Sequence, residues 1–274
     1  MPAEPNTVAA IQMTTSADRD GNLAAARRLL EEAARQGASV AALPENFAFM
    51  AVKEADKLAI AEVDGEGPIQ RMLAAAAREF GLWIVGGTIP LRTAEAGRVA
   101  AACLVYDAKG ERRARYDKIH LFDVRVSERE SYRESATVAP GSAPTVLDTP
   151  AGKVGLSVCY DMRFPELYRQ LSAAGARWLC MPSAFTAPTG RAHWQTLLRA
   201  RAIENLCYVV APAQSGIHAN GRETYGDSLI VDFWGRVLTR LPRGTGVIAA
   251  RFDPAGQDES RRTFPALDHR VFKS

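Results

Sequence analysis

The sequence predicts an α/β protein with mixed β-sheets, built as a single domain over residues 1–274. Short apolar runs typical of buried strands alternate along the chain with helical patterns. A hairpin signal at residues 107–110 (DAKG) interrupts this alternation and indicates antiparallel pairing beside the parallel strands. No Pro-, Gly- or Ser-rich linker divides the chain, so one domain is favoured over the two that its length would allow.

The first half of the chain is predicted to alternate strands with helices. The apolar run 7–13 is typical of a buried strand. Asn22 is predicted to cap the next helix, which ends at Gly37 because glycine readily adopts the left-handed conformation after a last helical turn. A second buried strand over 39–43 leads into Glu45. The other elements expected in this half are a helix over 69–80 and strands over 82–90, 99–106 and 111–116.

The second half of the chain repeats the alternation and then ends mainly on strands. Helices are expected over 164–174, closed by Gly175, and over 193–204. The strands expected here are 153–158, 178–182, 207–212, 228–232, 236–241 and 246–252.

Composition and charge exclude several classes of protein. Hydrophobic residues make up 47% of the chain and charged residues 24%, which is ordinary for a globular protein and argues against disorder. The net charge of +3 is too small to indicate a nucleic-acid partner. No apolar run reaches the roughly 18 residues of a membrane span, and residues 1–6 lack the pattern of a secretory signal. We therefore expect a cytoplasmic protein with neither a nucleic-acid nor a membrane partner.

Cysteine and histidine spacing gives no sign of a metal site. None of the four cysteines forms a C-x-x-C pair, and Cys103, Cys180 and Cys207 lie within apolar runs, where packing is the usual role. The four histidines form no H-x-x-x-H pattern. The glycines at 65–67 and 86–87 lack the G-x-G-x-x-G spacing of a dinucleotide site. We therefore expect a reduced, intracellular protein with no metal and no cofactor.

Three residues of complementary chemistry follow predicted strands. Cys159, Glu45 and Lys118 each stand just beyond the carboxyl end of a strand, where ligands gather in α/β proteins. Taken singly, Cys159 is equally well explained as a fourth buried cysteine, and the other two are more often a surface carboxylate and a solvated lysine. Together they supply what amide hydrolysis needs: a thiolate that attacks, a carboxylate that moves the proton and a cation that stabilises the oxyanion.

The sequence around these residues resembles the nitrilase, or carbon–nitrogen hydrolase, superfamily over nearly the full chain. The blocks that carry this resemblance are 43–46 (LPEN), 116–123 (YDKIHLFD) and 155–167 (GLSVCYDMRFPEL). The resemblance implies a four-layer αββα sandwich with two mixed β-sheets. It also implies ping-pong acyl transfer to water through a thioester, and assembly as a homodimer or a higher homo-oligomer.

The same resemblance implies catalytic roles for individual residues. Cys159 is expected to be the nucleophile, Glu45 the general base and Lys118 the cation that stabilises the intermediate. Glu134 stands where the family often adds a second glutamate, which would hold Lys118, although Glu128 and Glu130 lie close by in the chain. The oxyanion hole would consist of Lys118 and the backbone N–H of Tyr160.

The resemblance extends to one branch of the superfamily. Tyr160 follows the cysteine where true nitrilases typically have Trp, which favours an amidase. The blocks that resemble the Nit branch are 182–185, 189–194, 199–205, 225–228 and 232–235. This branch cleaves the γ-amide of 2-oxo-diacid skeletons, either in deaminated glutathione, which the details at 183–185 and 202–204 favour, or in 2-oxoglutaramate. Arg191 departs from the pattern, because animal members commonly carry Pro there.

Substrates of this kind carry carboxylates, which arginine binds well. Arg163, four residues after Cys159, is the first candidate for substrate binding, and an ion pair with Glu166 is an equal alternative for it. Arg125, Arg129 and Arg133 lie in the loop before Glu134, which could border the pocket, but individually they are better explained as solvated side chains.

Two rival interpretations remain open at this stage. A papain-like Cys–His pair would use His120 or His193, although nothing in the sequence forces either next to Cys159. A catalytically idle binding protein could retain the fold without activity. Within the enzyme interpretation, another small aliphatic or N-carbamoyl amide is an alternative substrate.

Overall fold

The computed structural model describes residues 6–126, 128 and 130–272. The strands run in the order β1 (Thr7–Gln12), β2 (Val40–Ala42), β3 (Trp83–Val85), β4 (Ile89–Arg92), β5 (Val99–Tyr106), β6 (Arg112–Asp117), β7 (Asp123–Arg125), β8 (Ser131–Arg133), β9 (Val138–Ala139), β10 (Thr145–Leu147), β11 (Val154–Leu156), β12 (Trp178–Cys180), β13 (Tyr208–Ala211), β14 (Ser215–Ile217), β15 (Glu223–Tyr225), β16 (Ser228–Val231), β17 (Val237–Leu241) and β18 (Gly246–Arg251). The α-helices are α1 (Arg19–Arg35), α2 (Asp56–Ala59), α3 (Pro68–Phe80), α4 (Pro165–Ala173), α5 (Ala187–Asn205) and α6 (Pro254–Thr263). Two short 3-10 helices cover Glu134–Ala136 and Cys159–Arg163.

The first sheet is mixed, with the strand order β18-β1-β2-β3-β5-β4. Strands β3 and β4 pair with different parts of β5 along one edge, and β6 and β9 pair with β5 along its opposite edge. Strands β1, β2 and β3 are parallel. Strand β6 is antiparallel to β5, and β5 is antiparallel to β3, so β6 runs in the direction of β2. The carboxyl ends of β2 and β6 therefore point to the same end of the sheet, and this places the segments that carry Glu45 and Lys118 together.

The second sheet is also mixed and orders its strands β10-β11-β12-β13-β16-β17, with β11, β12 and β13 parallel. Cys159 follows β11, so it lies at the carboxyl end of this parallel set. Backbone hydrogen bonds of Met13, just after β1, to Ala213 and Ser215, just after β13, join the two sheets at this end. Residues that follow strands of both sheets therefore face one another.

The two sheets lie face to face between layers of helices. Alternate residues of β1 point to opposite sides: Val8 and Ala10 pack in a core with the second sheet, whereas Ala9 and Ile11 pack against α1 and α3. Buried residues of α4 and α5 cover the outer side of the second sheet. This is the predicted four-layer αββα sandwich, and it confirms the mixed α/β class.

The start of α1 differs from the prediction. Asp18, not Asn22, caps the helix, and its carboxylate accepts from the N–H of Gly21 at 3.2 Å. Asn22 lies inside the helix, where its buried amide donates to the carbonyls of Ser16 at 2.8 Å and Ala48 at 3.1 Å. The asparagine therefore ties the helix to the loop that follows β2.

The expected strand over 82–90 is divided into β3 and β4. At the break, Gly87 has a φ of +53°, and a Cβ there would lie 2.1 Å from the carbonyl oxygen of Pro44. Glycine is therefore required at position 87, because this turn packs against Pro44, the residue before Glu45. This packing role explains Gly87 without a nucleotide site. Helix α5 also begins at Ala187, six residues before the predicted start at 193, and α6 was not predicted.

No helix in the described ranges is both long enough and apolar enough to cross a bilayer.

Candidate active site

Glu45 is held in a buried turn after β2. The next residue, Asn46, has a φ of +57°, a conformation that asparagine tolerates better than most residues, and its N–H donates to Thr88 Oγ1 at 2.9 Å. From the other side, the buried amide of Gln214 donates to the Glu45 carbonyl oxygen at 3.0 Å. Glu45 as a residue is only 4% exposed, and its Oε2 accepts from the Ala184 N–H at 2.8 Å. The turn is thus held by side chains of two other segments, and the carboxylate is oriented by the backbone N–H of Ala184.

Lys118 lies between two carboxylates. Its Nζ is 2.8 Å from Glu45 Oε1, and 3.0 and 2.9 Å from the two carboxylate oxygens of Glu134. Glu134 is oriented in turn by the N–H of Phe122, which donates to its Oε2 at 2.7 Å. Lys118 is 2% exposed, and such a buried ammonium needs partners of opposite charge. The structure therefore brings Glu134 to Lys118, as the sequence predicted, and neither Glu128 nor Glu130 takes this position.

Cys159 begins the 3-10 helix after β11 in a sharp turn. Its φ is +47°, which is uncommon for a residue with a side chain and is found most often at functional sites. The Cys159 N–H donates to the Pro182 carbonyl oxygen at 2.9 Å and so continues the pairing of β11 with β12. The residue is 7% exposed and lines the same cavity as Glu45 and Lys118. The three predicted catalytic side chains are therefore brought together.

Burial, reinforced by the Glu45 carboxylate, keeps the Cys159 thiol protonated at rest. Burial raises the pKa of Cys159, the Glu45 carboxylate raises it further, and Lys118 only partly opposes these effects. Burial also opposes ionisation of Glu45, but the charge and hydrogen bond of Lys118 outweigh it, so the pKa of Glu45 is lowered. The pKa of Lys118 stays well above its ordinary value because Glu134 and Glu45 outweigh its burial. In the resting cluster the Cys159 thiol therefore keeps its proton, Glu45 is ionised and Lys118 is charged, so Glu45 is able to accept a proton from the thiol.

The N–H of Tyr160 lies in the first turn of the 3-10 helix, where amide groups have no acceptor within the helix. It adjoins Cys159 in the chain, and Tyr160 lines the same cavity as Lys118. If a carbonyl carbon were bound to the Cys159 sulfur, its oxygen would have two donors nearby: the backbone N–H of Tyr160 and the ammonium of Lys118.

Asp161 is a buried carboxylate that the sequence analysis did not single out. It is 0% exposed, and its two oxygens accept from the Tyr116 hydroxyl at 2.7 Å, the Val158 N–H at 2.8 Å and the His120 N–H at 3.0 Å. Tyr116 and His120 flank Lys118 in the chain, and Val158 precedes Cys159. The carboxylate therefore joins the segment of the lysine to the segment of the nucleophile.

Neither histidine of the rival interpretation lines the cavity. The Nδ1 of His120 is 2.7 Å from Asp161 Oδ1, and the ring stacks on Phe164 with a centroid distance of 3.7 Å. The Nδ1 of His193 is 3.3 Å from Arg163 Nη1. The geometry therefore offers no support for a papain-like Cys–His pair.

Arg163 does not lie where it was expected, whereas one arginine of the loop before Glu134 does border the cavity. Arg163 does not line the cavity: its guanidinium lies over the rings of Tyr160 and Phe185, at 5.8 and 5.3 Å from their centroids. Its polar contact is with His193, not with Glu166. Of the arginines before Glu134, Arg133 lines the cavity, Arg125 lies in β7, and Arg129 lies outside the described residues.

Arg222 lines the cavity but was missed by the sequence analysis. It directly precedes β15, more than 60 positions from Cys159, and nothing in its local sequence separates it from a solvated arginine. The backbone N–H of Ala184 was missed for a similar reason, because a main-chain donor has no signature in sequence.

The other cysteines are buried and packed. Burial raises the pKa of Cys103 to about 12 and that of Cys207 to about 11, and it raises the pKa of Cys180 as well. None of the three lines the cavity and each packs in the apolar core, which is the predicted role. Within residues 6–272, apart from the gaps at 127 and 129, no cluster of His, Cys, Asp and Glu has the arrangement of a metal site.

Comparison with known proteins assigns the class. A family model described as carbon-nitrogen hydrolase matches residues 7–262, so the chain belongs to the carbon–nitrogen hydrolase family and is a C–N hydrolase of the amidase type. A protein of Synechocystis named deaminated glutathione amidase is 44% identical over 272 residues, which cover 98% of this chain and 99% of that protein.

Solved structures agree with this class. The crystal structure of the Caenorhabditis elegans NitFhit protein matches with a TM-score of 0.89 and 37% identity, over 99% of this chain and 66% of that one. An amidase from Nesterenkonia sp. AN1 matches with a TM-score of 0.78 and 26% identity, over 94% of this chain and 98% of that one. In that amidase, acrylamide has added to the active-site cysteine.

Proposed function

We propose that this protein hydrolyses the γ-amide of deaminated glutathione, giving 2-oxoglutarate and Cys-Gly. The observation that carries the proposal is the convergence of Cys159, Glu45 and Lys118 in the wall of one cavity, with Glu134 on the lysine. The Synechocystis relative named for this activity, which is 44% identical over 272 residues, supports the choice of substrate.

In the acylation step, the Cys159 sulfur attacks the amide carbonyl carbon while Glu45 takes the thiol proton. The carbonyl oxygen becomes an oxyanion, which Lys118 and the Tyr160 N–H stabilise. Lys118 already contacts both oxygens of Glu134, so it can exchange one of these contacts for the oxyanion. Glu45 then gives its proton to the nitrogen as the C–N bond breaks, and the amine leaves a thioester on Cys159.

In the deacylation step, Glu45 takes a proton from water as the water oxygen attacks the thioester carbon. The same donors stabilise the second oxyanion. When the C–S bond breaks, Glu45 returns the proton to the sulfur, and the carboxylic acid product leaves. One water is consumed and the enzyme returns to its starting protonation. Glu134 acts as a positioning residue that holds the ammonium of Lys118.

The thioester can be tested by mass spectrometry of the intact protein after rapid mixing with substrate. We expect an acyl adduct on Cys159 that is absent from Cys159→Ala, and loss of turnover in that variant with the fold retained. Glu45→Gln should slow acylation by about 100-fold or more because it removes the proton acceptor. Cys180→Ala is the matched control, since that thiol is buried away from the cavity. Turnover that persists in Cys159→Ala would contradict the mechanism, and absence of both adduct and turnover across γ-amides would favour an idle binding protein.

A second candidate is an omega-amidase activity on 2-oxoglutaramate. It presents the same acyl part to Cys159 as deaminated glutathione does, so the contacts around the thiol suit both substrates. The two are separated by their kcat/KM values, which we expect to be higher for deaminated glutathione. A preference for simple aliphatic or N-carbamoyl amides would overturn the assignment but leave the chemistry intact.

We also propose that the protein acts in the cytoplasm as a homodimer or a higher homo-oligomer. Exposed aromatic side chains support assembly: Trp234 and Phe264 are 48% and 54% exposed, and their rings lie 5.6 Å apart. Light scattering in solution measures the mass directly, and a monomer would contradict the second part of this proposal.

A further inference from the structure

The cavity wall contains four cationic side chains, and most of them are already neutralised or exposed. Lys118 is paired with Glu45 and Glu134, as described above. Lys57 is paired with Glu54, at an N–O distance of 2.7 Å. Arg133 is exposed to solvent. The fourth cation is Arg222, which is only partly exposed and makes no ion pair with any carboxylate of the described residues.

The side chain of Arg222 is nevertheless fixed in orientation. A terminal nitrogen donates to the carbonyl oxygen of Ala184, and the guanidinium carbon lies 4.9 Å from the ring centroid of Tyr132. Its backbone is held in the β14–β15 hairpin, where the His218 N–H donates to the Arg222 carbonyl oxygen and the Arg222 N–H donates to Asn220 Oδ1, both at 2.9 Å. The guanidinium is therefore organised before any ligand binds.

One donor of this guanidinium has no acceptor. The Nε atom of Arg222 is buried and makes no hydrogen bond in the described part of the chain. A buried charged group with an unpaired N–H is costly, and Arg222 lines the cavity, so a ligand that brings an acceptor to this guanidinium would offset part of that cost. Since the group is cationic and forked, a carboxylate is the acceptor that fits it best.

Arg222 is also close to the reacting groups. The backbone of Ala184 connects Arg222 with Glu45, because its N–H donates to the Glu45 carboxylate and its carbonyl oxygen accepts from Arg222. The charge of Arg222 acts on both Glu45 and Cys159. A small acyl group attached to Cys159 would therefore have its far end within reach of this guanidinium.

We propose that Arg222 binds the carboxylate of the acyl part of the substrate and so selects ω-amides of dicarboxylic acids over neutral amides. This inference rests on the proposed function and assigns its acid-recognition site. A neutral amide would leave the desolvated guanidinium without its acceptor, which is the situation in which a polar site discriminates most strongly. The assignment replaces Arg163, which lies outside the cavity.

The experiment compares Arg222→Gln and Arg222→Lys with the unmodified enzyme on 2-oxoglutaramate and on glutaramide, a neutral diamide of the same chain length. For Arg222→Gln we expect kcat/KM on 2-oxoglutaramate to fall by about 100-fold, mainly through KM, and the ratio of the two substrates to fall by a similar factor. Arg222→Lys should recover part of the ratio because it keeps the charge. Arg163→Gln is the matched control and should leave the ratio unchanged.

Stoichiometric alkylation of Cys159 by iodoacetamide verifies that each variant retains an intact site. An Arg222→Gln enzyme that is alkylated normally but keeps the original substrate ratio would overturn the inference, as would a changed ratio in Arg163→Gln alone. If the unmodified enzyme hydrolyses neither 2-oxoglutaramate nor deaminated glutathione, the proposed function fails, and this assignment fails with it.

Discussion

Cys159 differs from the other cysteines in its backbone and its neighbours, not in its burial. All four thiols are buried, but Cys159 alone among them has a positive φ and lines the cavity beside a carboxylate and an ammonium. Its raised pKa means that the thiolate is not a stable resting species. Under the proposed mechanism we therefore expect its reactivity to come from proton transfer to Glu45 at the moment of attack.

The pH dependence of kcat/KM tests this arrangement. The lowered pKa of Glu45 keeps the base ionised at neutral pH, and activity should be lost only as the pH falls below the ordinary carboxylate range. The raised pKa of Cys159 keeps its proton in place past the pH at which a free thiol ionises. We expect a flat profile with no inflection near about 6.5, where histidine titrates, or about 8.5, where free cysteine does.

A mechanism with a histidine base predicts a different pH dependence of kcat/KM. A limb near about pH 6.5 that disappears in His193→Gln or His120→Gln would contradict the role of Glu45. The profile should be recorded for kcat/KM because that quantity reports the groups of the free enzyme.

At the scale of elements, Asp161 connects the loops after β6 and β11. It binds Tyr116 and His120 on either side of Lys118, and it binds Val158 next to Cys159. These segments belong to different sheets, so their relative position depends on such contacts. Asp161 does not line the cavity, and we expect it to act as a positioning residue for the lysine and the nucleophile.

Asp161→Asn should lower kcat by about 100-fold with a smaller effect on KM, because an amide group cannot accept hydrogen bonds from all of these donors and small displacements of reacting atoms are costly. Tyr116→Phe removes only one of the bonds and is the matched control, with a smaller expected loss. Denaturant unfolding identifies variants that remain folded at the assay temperature. A folded Asp161→Asn enzyme with unchanged kcat would reduce the residue to a structural role.

At the scale of the whole molecule, we propose that the chain is one domain. Its first and last strands, β1 and β18, are paired in the first sheet, where Thr7 lies opposite Arg251. One apolar core also contains residues of both sheets, including Val8 and Val40 from the first and Leu156 and Val209 from the second. Neither sheet can therefore lose its structure without exposing the inner face of the other.

A single unfolding transition is the expected consequence. Far-UV circular dichroism, which reports the strands and helices, and near-UV dichroism, which reports buried aromatic residues such as Trp178 and Trp194, should give the same midpoint in urea. Two separated midpoints would indicate two folding units and would contradict the proposal.

Local sequence was sufficient for most elements and for the parts of the site with side-chain chemistry. The buried strands, the hairpin before Lys118 and the cysteine after β11 have patterns that depend on nearest neighbours in the chain. Two failures share a cause: Asn22 and Gly87 were misjudged because their partners, Ala48 and Pro44, are far away in sequence. Helix α6 was missed for a different reason, because it is short and polar and so has little apolar periodicity in its sequence.

The sequence by itself determined the α/β class, the identity of the thiol, carboxylate and ammonium, and the family to which the chain belongs, since these follow from local pattern and residue type. Tertiary structure alone decided that Glu134 is the glutamate on Lys118, that Asp161 joins the two catalytic loops, and that Arg222 rather than Arg163 faces the cavity. The reason is physical: a hydrogen bond or a charge pair depends on distance in space, and the folding of two sheets face to face sets that distance for residues far apart in the chain.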